Sequence, residues 1–182
     1  MNIAGRVLFD TNLVNLTLDC GEFIFDGGEI PAHVPGTAMD DVMALRSMFL
    51  TGQRASWQLA ISPLTYREID ATGDETRRAE LMRWFNELWL YWREFFDAEE
   101  LSDEHADSLA RRLVGSDYLA PIPQTSDRVL VAHAIAYGCD AFCTRDHKTI
   151  LRHREKLRGL PLRFLSPTEW WKEVMPYAQL WV

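Results

Sequence analysis

The chain is poor in the features that would place it in an oxidising or lipid setting. It has only three cysteines, Cys20, Cys139 and Cys143, and an odd number is explained more simply by free thiols in a reducing compartment than by a bridge with one sulfur left over. Cys139 and Cys143 straddle a short apolar stretch with no second pair, which argues against zinc. No apolar run approaches the ~20 residues that a membrane-spanning helix needs. Residues 1 to 9 hold one Arg and neither a long apolar segment nor a small-residue cleavage site, so no signal peptide is expected and the expected compartment is the cytoplasm. Internal repeats and low-complexity tracts are missing as well. Positive charge is scarce, with 19 Lys and Arg against 27 Asp and Glu for a net charge of -8. That argues against a surface coated for nonspecific nucleic-acid binding, but not against a local basic patch.

What is present is the balance of a globular protein. Its 182 residues are 47% apolar and 25% charged, enough for one domain, with an insertion, to bury roughly 70% of its unfolded surface. Arg6 to Phe9 is a short apolar run that reads as a buried strand, delivering Asp10 into a loop at its carboxyl end. Four Gly and two Pro between Asp19 and Gly36 mark a loop or insertion. Thr37, with Asp40 three residues on, predicts a helix reaching Leu50. Trp57 to Ile61 reads as a second strand, and Ser62-Pro63 after it is a helix start, with Ser as the cap and Pro at the first helical position. Helices are predicted from about Asp74 to Phe96 and from Ser102 to about Val114. A further one, Asp127 to Tyr137, would be capped by Ser126 and stopped by Gly138. Ala141 to Thr144 and Leu162 to Leu165 complete the strands, and Ser166-Pro167-Thr168-Glu169 opens a terminal helix. Short strands alternating with longer helices require crossover connections, hence an α/β fold with a parallel sheet between two helical layers.

In open sheets of this kind ligands bind beyond the carboxyl ends of the strands, where Asp10 and Asp146 both fall. Asp127 and Glu68 can enter the same crevice from the early turns of two helices. Carboxylates brought within ~4 to 6 Å repel one another unless a cation neutralises them. An all-oxygen set without a converging His or Cys group suits Mg²⁺ or Mn²⁺. Each acid alone has a plainer explanation. Asp10 and Asp146 can be turn or helix caps, Asp127 can complement a helix dipole, and Glu68 can be a solvated helix residue that competes with Asp70 for any ligand role. Their joint placement favours one site.

Three segments carry a resemblance to a known family. Val7-Leu8-Phe9-Asp10-Thr11-Asn12, Ser62-Pro63-Leu64-Thr65-Tyr66-Arg67-Glu68-Ile69 and the stretch Asp127 to Asp146, which ends Cys143-Thr144-Arg145-Asp146, together resemble the motifs of the PIN-domain family. The resemblance covers most of the chain, except that residues 19 to 57 are longer than the usual first connection and the Trp-rich helix has no counterpart. It implies a three-layer PIN-like fold and metal-dependent hydrolysis of RNA phosphodiesters. Asp10, Glu68, Asp127 and Asp146 would be the catalytic and metal-binding acids, and Asn12 and Thr144 the supporting polar groups. Many family members are toxins of toxin-antitoxin pairs, so an antitoxin protein is an implied partner beside the RNA substrate.

Two readings compete with this one. A haloacid-dehalogenase-like phosphatase also begins with an Asp after its first strand, but that chemistry wants a second acid two residues on, where this chain has Asn12. The nonenzymatic alternative is a catalytically weak PIN-like module that binds RNA or protein without cutting. Residues 145 to 163 hold seven Lys and Arg against two acids, a basic strip beginning beside Asp146, and Arg145, His147 and Lys148 are its candidates for substrate phosphate contacts. His133, among Val, Ala and Ile, reads as a packed core histidine. Leu81, Trp84, Phe85, Leu88, Trp89, Trp92, Phe95 and Phe96 form an apolar surface wider than one core face needs, which predicts cover by the insertion or by a second subunit in a homodimer.

Overall fold

A computed structural model of the chain describes residues 3–55, 57–95 and 104–181. Four strands, β1 (Arg6–Phe9), β2 (Gln58–Ile61), β3 (Ala141–Cys143) and β4 (Arg163–Leu165), form one sheet in the order β2-β1-β3-β4. All three pairings are parallel, with Phe9 level with Ile61 on one side and with Cys143 on the other. The strands alternate with helices α1 (Thr11–Asp19), α2 (Met39–Ala55), α3 (Pro63–Asp70), α4 (Glu75–Phe95), α5 (Glu104–Val114), α6 (Thr125–Ala136) and α7 (Pro167–Val174).

Because side chains alternate across a strand, the sheet feeds two separate cores. Val7, Phe9, Leu59, Ile61, Ala141 and Cys143 pack with α1, α2, α4 and α7 on one face. Leu8, Phe142 and Phe164 pack with α5 and α6 on the other. Strands covered on both faces are buried at nearly every position, which is why they read as continuous apolar runs. The α/β architecture with an all-parallel sheet is therefore as expected, with helices on either side.

Several local expectations change. Asp10 does not enter a loop. It is the N-cap of α1, a helix not foreseen, and its side chain accepts a hydrogen bond from the Leu13 N–H. Helix α6 starts at Thr125 with Gln124 rather than Ser126 in the cap position, and that cap makes no side-chain hydrogen bond. The segment after α1 carries one π-helical turn, Glu22–Asp26, before Gly27 closes it in the left-handed region at φ 76°. A 3-10 turn, Gly36–Ala38, precedes α2, which runs to Ala55 rather than Leu50. Other signals read as expected. Ser62 caps α3 and Pro63 opens it, Ser166 and Glu169 form a capping box at α7, and Gly138 takes φ 64° just past α6. Of the aromatic helix, Leu81 and Phe85 are core residues and Trp84 packs against that core. The side chains of Leu88, Trp89, Trp92 and Phe95, with Phe96 and the acidic residues 97–103, lie outside the described residues. No helix among the described residues is long and apolar enough to cross a membrane.

Candidate active site

The sheet order puts β1 and β3 side by side at its centre, and the acids follow their carboxyl ends. The Asp10 N–H extends the ladder to the Cys143 carbonyl at 3.1 Å. Thr144, one residue past β3, turns its hydroxyl onto Asp10 Oδ2. The same hydroxyl oxygen accepts the Asp146 N–H at 2.9 Å. Thr144 is fully buried and joins the two strand-end acids.

Asp146 closes a tight turn. Its Oδ1 accepts the N–H groups of Lys148 at 2.9 Å and Thr149 at 2.8 Å. The Thr149 hydroxyl bonds Asp146 Oδ2 and lies 3.4 Å from Asp127 Oδ2 on the first turn of α6. On the other side of Asp10, the Thr11 hydroxyl bonds Glu68 of α3 and lies 3.1 Å from the Thr65 hydroxyl. Glu68, half-buried, is therefore the α3 acid turned toward the site, whereas Asp70 is exposed. Asn12 is exposed on α1, and no hydrogen bond links it to the four acids among the described residues, so the supporting role expected of it is not seen. Thr11, Thr65 and Thr149 were missed by sequence reasoning. Only Thr149 had a local signal, since an Asp that bonds the N–H groups two and three residues on is a common turn device.

The electrostatics bind the acids into one unit. Asp10 is only 3% exposed. Burial pushes its carboxyl up to about 7, opposed by the Thr144 and Leu13 hydrogen bonds and assisted by the charges of Asp127 and Asp146. Asp127 is raised first by burial and then by Asp146 and Glu68. Asp146 moves the other way. Burial is its largest influence and an upward one, but the bonds from Thr149 and Lys148 and the His147 charge together outweigh it. Among the described residues no Lys or Arg forms an ion pair with any of the four.

The basic strip is arranged differently from expectation. Its residues Leu151–Leu157 form a 3-10 helix. Arg145 turns away from the acids to bond Asp41 of α2 at 2.9 Å, and Arg154 and Arg163 are held by Glu169 and Glu173, each at 2.8 Å. His147, Lys148 and Arg152 are exposed.

Among the described residues no three Asp, Glu, His or Cys side chains stand ready to hold a metal ion. The carboxylate oxygens point instead to threonine hydroxyls. The donor chemistry nevertheless fits a hard divalent cation, being oxygen throughout and rich in negative charge with which no Lys or Arg forms an ion pair among the described residues. Rotating the threonine-bound carboxylates inward would free oxygens from four separate chain segments. No family model, curated protein or solved structure matches the chain.

Proposed function

We propose that the chain is a metal-dependent endoribonuclease of the PIN-like kind. The observation that carries the reading is the coupling of Asp10, Asp127, Asp146 and Glu68. These acids come from four elements beyond the carboxyl ends of the parallel strands. Asp10 and Asp127 are held above the ordinary carboxylate value by burial and then by neighbouring carboxylates. No Lys or Arg forms an ion pair with any of the four among the described residues. A structural cluster of this kind costs stability, so a site of this charge is more economically explained by a cationic ligand.

Asp10, Asp127, Asp146 and Glu68 would hold Mg²⁺ or Mn²⁺, which when bound activates a water for attack on the phosphodiester and offsets charge on the phosphate. The chain's own residues orient the acids. Thr144 fixes Asp10, Thr149 fixes Asp146 and Asp127, and Thr11 fixes Glu68. Burial of Asp10 keeps bulk water from the floor of the crevice. Lys148 and His147, exposed beside Asp146, are the side chains of the basic strip available to a phosphate. Arg145 instead positions the β3 end through Asp41.

The test is cleavage of a labelled RNA by repurified protein in Mg²⁺ or Mn²⁺, with an Asp10→Asn preparation made alongside. Cleavage should need the metal and be absent from the variant. Full cleavage in excess chelator, or equal cleavage by the variant, overturns the reading.

A further inference from the structure

Helices α3, α5 and α6 enclose a groove of about 350 Å³ on the far sides of the two helices that carry Glu68 and Asp127. A buried cap fixes its shape. Ser62 Oγ accepts the Leu64 N–H at 3.0 Å and lies 2.7 Å from His133 Nδ1, which ties the start of α3 to α6. Pro63 of α3, Ala110 and Val114 of α5, and Val129 of α6 form apolar walls.

The same groove is lined by two exposed cations, Arg67 of α3 and Arg111 of α5, and neither forms an ion pair among the described residues. Arg67 Nε donates to the Pro63 carbonyl at 3.4 Å, which draws the side chain back along its own helix. Its charge is felt at His133 within the groove. Asp107 is the one acid of the lining, and its Oδ1 is buried, 3.7 Å from His133 Nε2. The strip where the sequence placed the phosphate contacts is arranged differently, since Arg145, Arg154, Arg158 and Arg163 are each held by an acid. A guanidinium with no carboxylate partner keeps its fork of donors for a ligand, and phosphate is an anion that fits it.

We infer that this groove is the entry track for single-stranded RNA, with Arg67 and Arg111 on backbone phosphates that flank the one being cut. Charge selects the occupant. In a chain of net charge -8, two arginines without acid partners at one opening concentrate positive potential there, and a polyanion is what it draws. The apolar walls cover a sugar or a base face, as in other grooves that follow a single strand. An opening of this size takes a nucleotide-sized group and excludes a duplex. The track continues into the acid crevice because the same helices serve both: α3 turns Arg67 to the groove and Glu68 to Thr11, and α6 carries Asp127 two residues before Val129. A strand leaving the groove passes Glu68 and Asp127, then Asp146 with the exposed Lys148 beyond it.

The inference rests on the ribonuclease reading, but its test needs no cleavage. A short labelled oligoribonucleotide of mixed sequence is titrated with the full chain in chelator, by fluorescence anisotropy, over a range of salt. Arg67→Gln with Arg111→Gln should flatten the slope of log affinity against log salt by about 1.4, at about 0.7 per phosphate contact, and weaken binding roughly 25-fold at about 0.1 M salt. Lys156→Gln with Arg158→Gln removes the same charge from exposed positions at the end of the 3-10 helix and should leave the slope unchanged. Thermal melts confirm that both variants fold. Duplex RNA and polyglutamate of equal charge should compete poorly. A slope unmoved by the Arg67 and Arg111 changes, an equal loss from the Lys156 and Arg158 changes, or equal competition by the duplex overturns the track. Equal competition by polyglutamate overturns it too, and assigns the groove to an acidic protein. Metal-dependent cleavage whose KM the Arg67 and Arg111 changes do not raise removes the track alone. RNA binding that needs both arginines in a protein that cleaves nothing removes the nuclease reading and leaves the track standing.

Discussion

Removing the most buried acid of the site should stabilise the metal-free protein. Asp10 lies at 3% exposure, and its folded-state carboxyl sits at about 7, mainly through burial, against an ordinary 3.8. The unfolded chain loses this proton near the lower value and the folded chain only near the higher. Between them the folded state holds more protons, so stability falls as pH rises. At ~1.4 kcal/mol per pH unit the full effect is roughly 4 kcal/mol by pH 8. Asp10→Asn removes that penalty. It also loses one acceptor, because the amide can serve the Leu13 N–H or the Thr144 hydroxyl but not both, at a cost of about 1 kcal/mol that does not depend on pH. In chelator the variant should therefore be slightly less stable than the parent at pH 4 and about 3 kcal/mol more stable at pH 8. For a chain of this size that is ~6 to 12 °C in melting temperature. Urea or thermal unfolding of both proteins across that range measures it directly. A variant less stable than the parent at every pH, by a constant amount, would refute the reasoning and show that the Asp10 carboxylate ionises as it does in water.

Mg²⁺ or Mn²⁺ should raise the melting temperature of the parent protein by binding only its folded form, and Asp127→Asn should blunt that rise in a thermal-shift titration. Arg145→Gln should cost about 3 kcal/mol in urea unfolding, the low end for a broken buried pair, because it strands Asp41, 7% exposed, with only the Thr168 hydroxyl at 2.7 Å. A loss under 1 kcal/mol would mean that Asp41 is well solvated. Gly138→Ala forces a side chain into the left-handed region and should lower stability by about 1 to 2 kcal/mol, read from the same unfolding curves. Reversing Lys148 and Arg152 to Glu should weaken RNA binding and flatten the slope of log affinity against log salt by about 0.7 per lost contact. An unchanged slope would exclude both from the binding face.

Much of the fold was legible because its signals are short-range. Both faces of the sheet are covered, so β1 and β3 appear as unbroken apolar runs. Ser62-Pro63 and the Ser166 to Glu169 box satisfy helix-end N–H groups from within four residues, and Gly138 needs only its own backbone freedom. Asp10, Asp127 and Asp146 were legible for the same reason, each sitting at the edge of an element whose end the sequence marks. Helix α1 was hidden because one residue serves two purposes: Asp10 ends a strand and caps the next helix, and only the first was read.

What only the tertiary structure decided depends on pairing across long stretches of chain. A local excess of basic residues between 145 and 163 says nothing about Asp41 on α2 or Glu173 on α7, which take up Arg145 and Arg163. The threonine that steadies Glu68 lies 57 residues before it. The Ser62 to His133 contact spans 71 residues and joins two helices, so a histidine that the sequence reads as packed in the core also lines a cavity. Sequence shows which groups are charged or buried along one element. Which charges neutralise one another, and which are left facing an opening, is fixed only when the parallel sheet brings the ends of distant strands together.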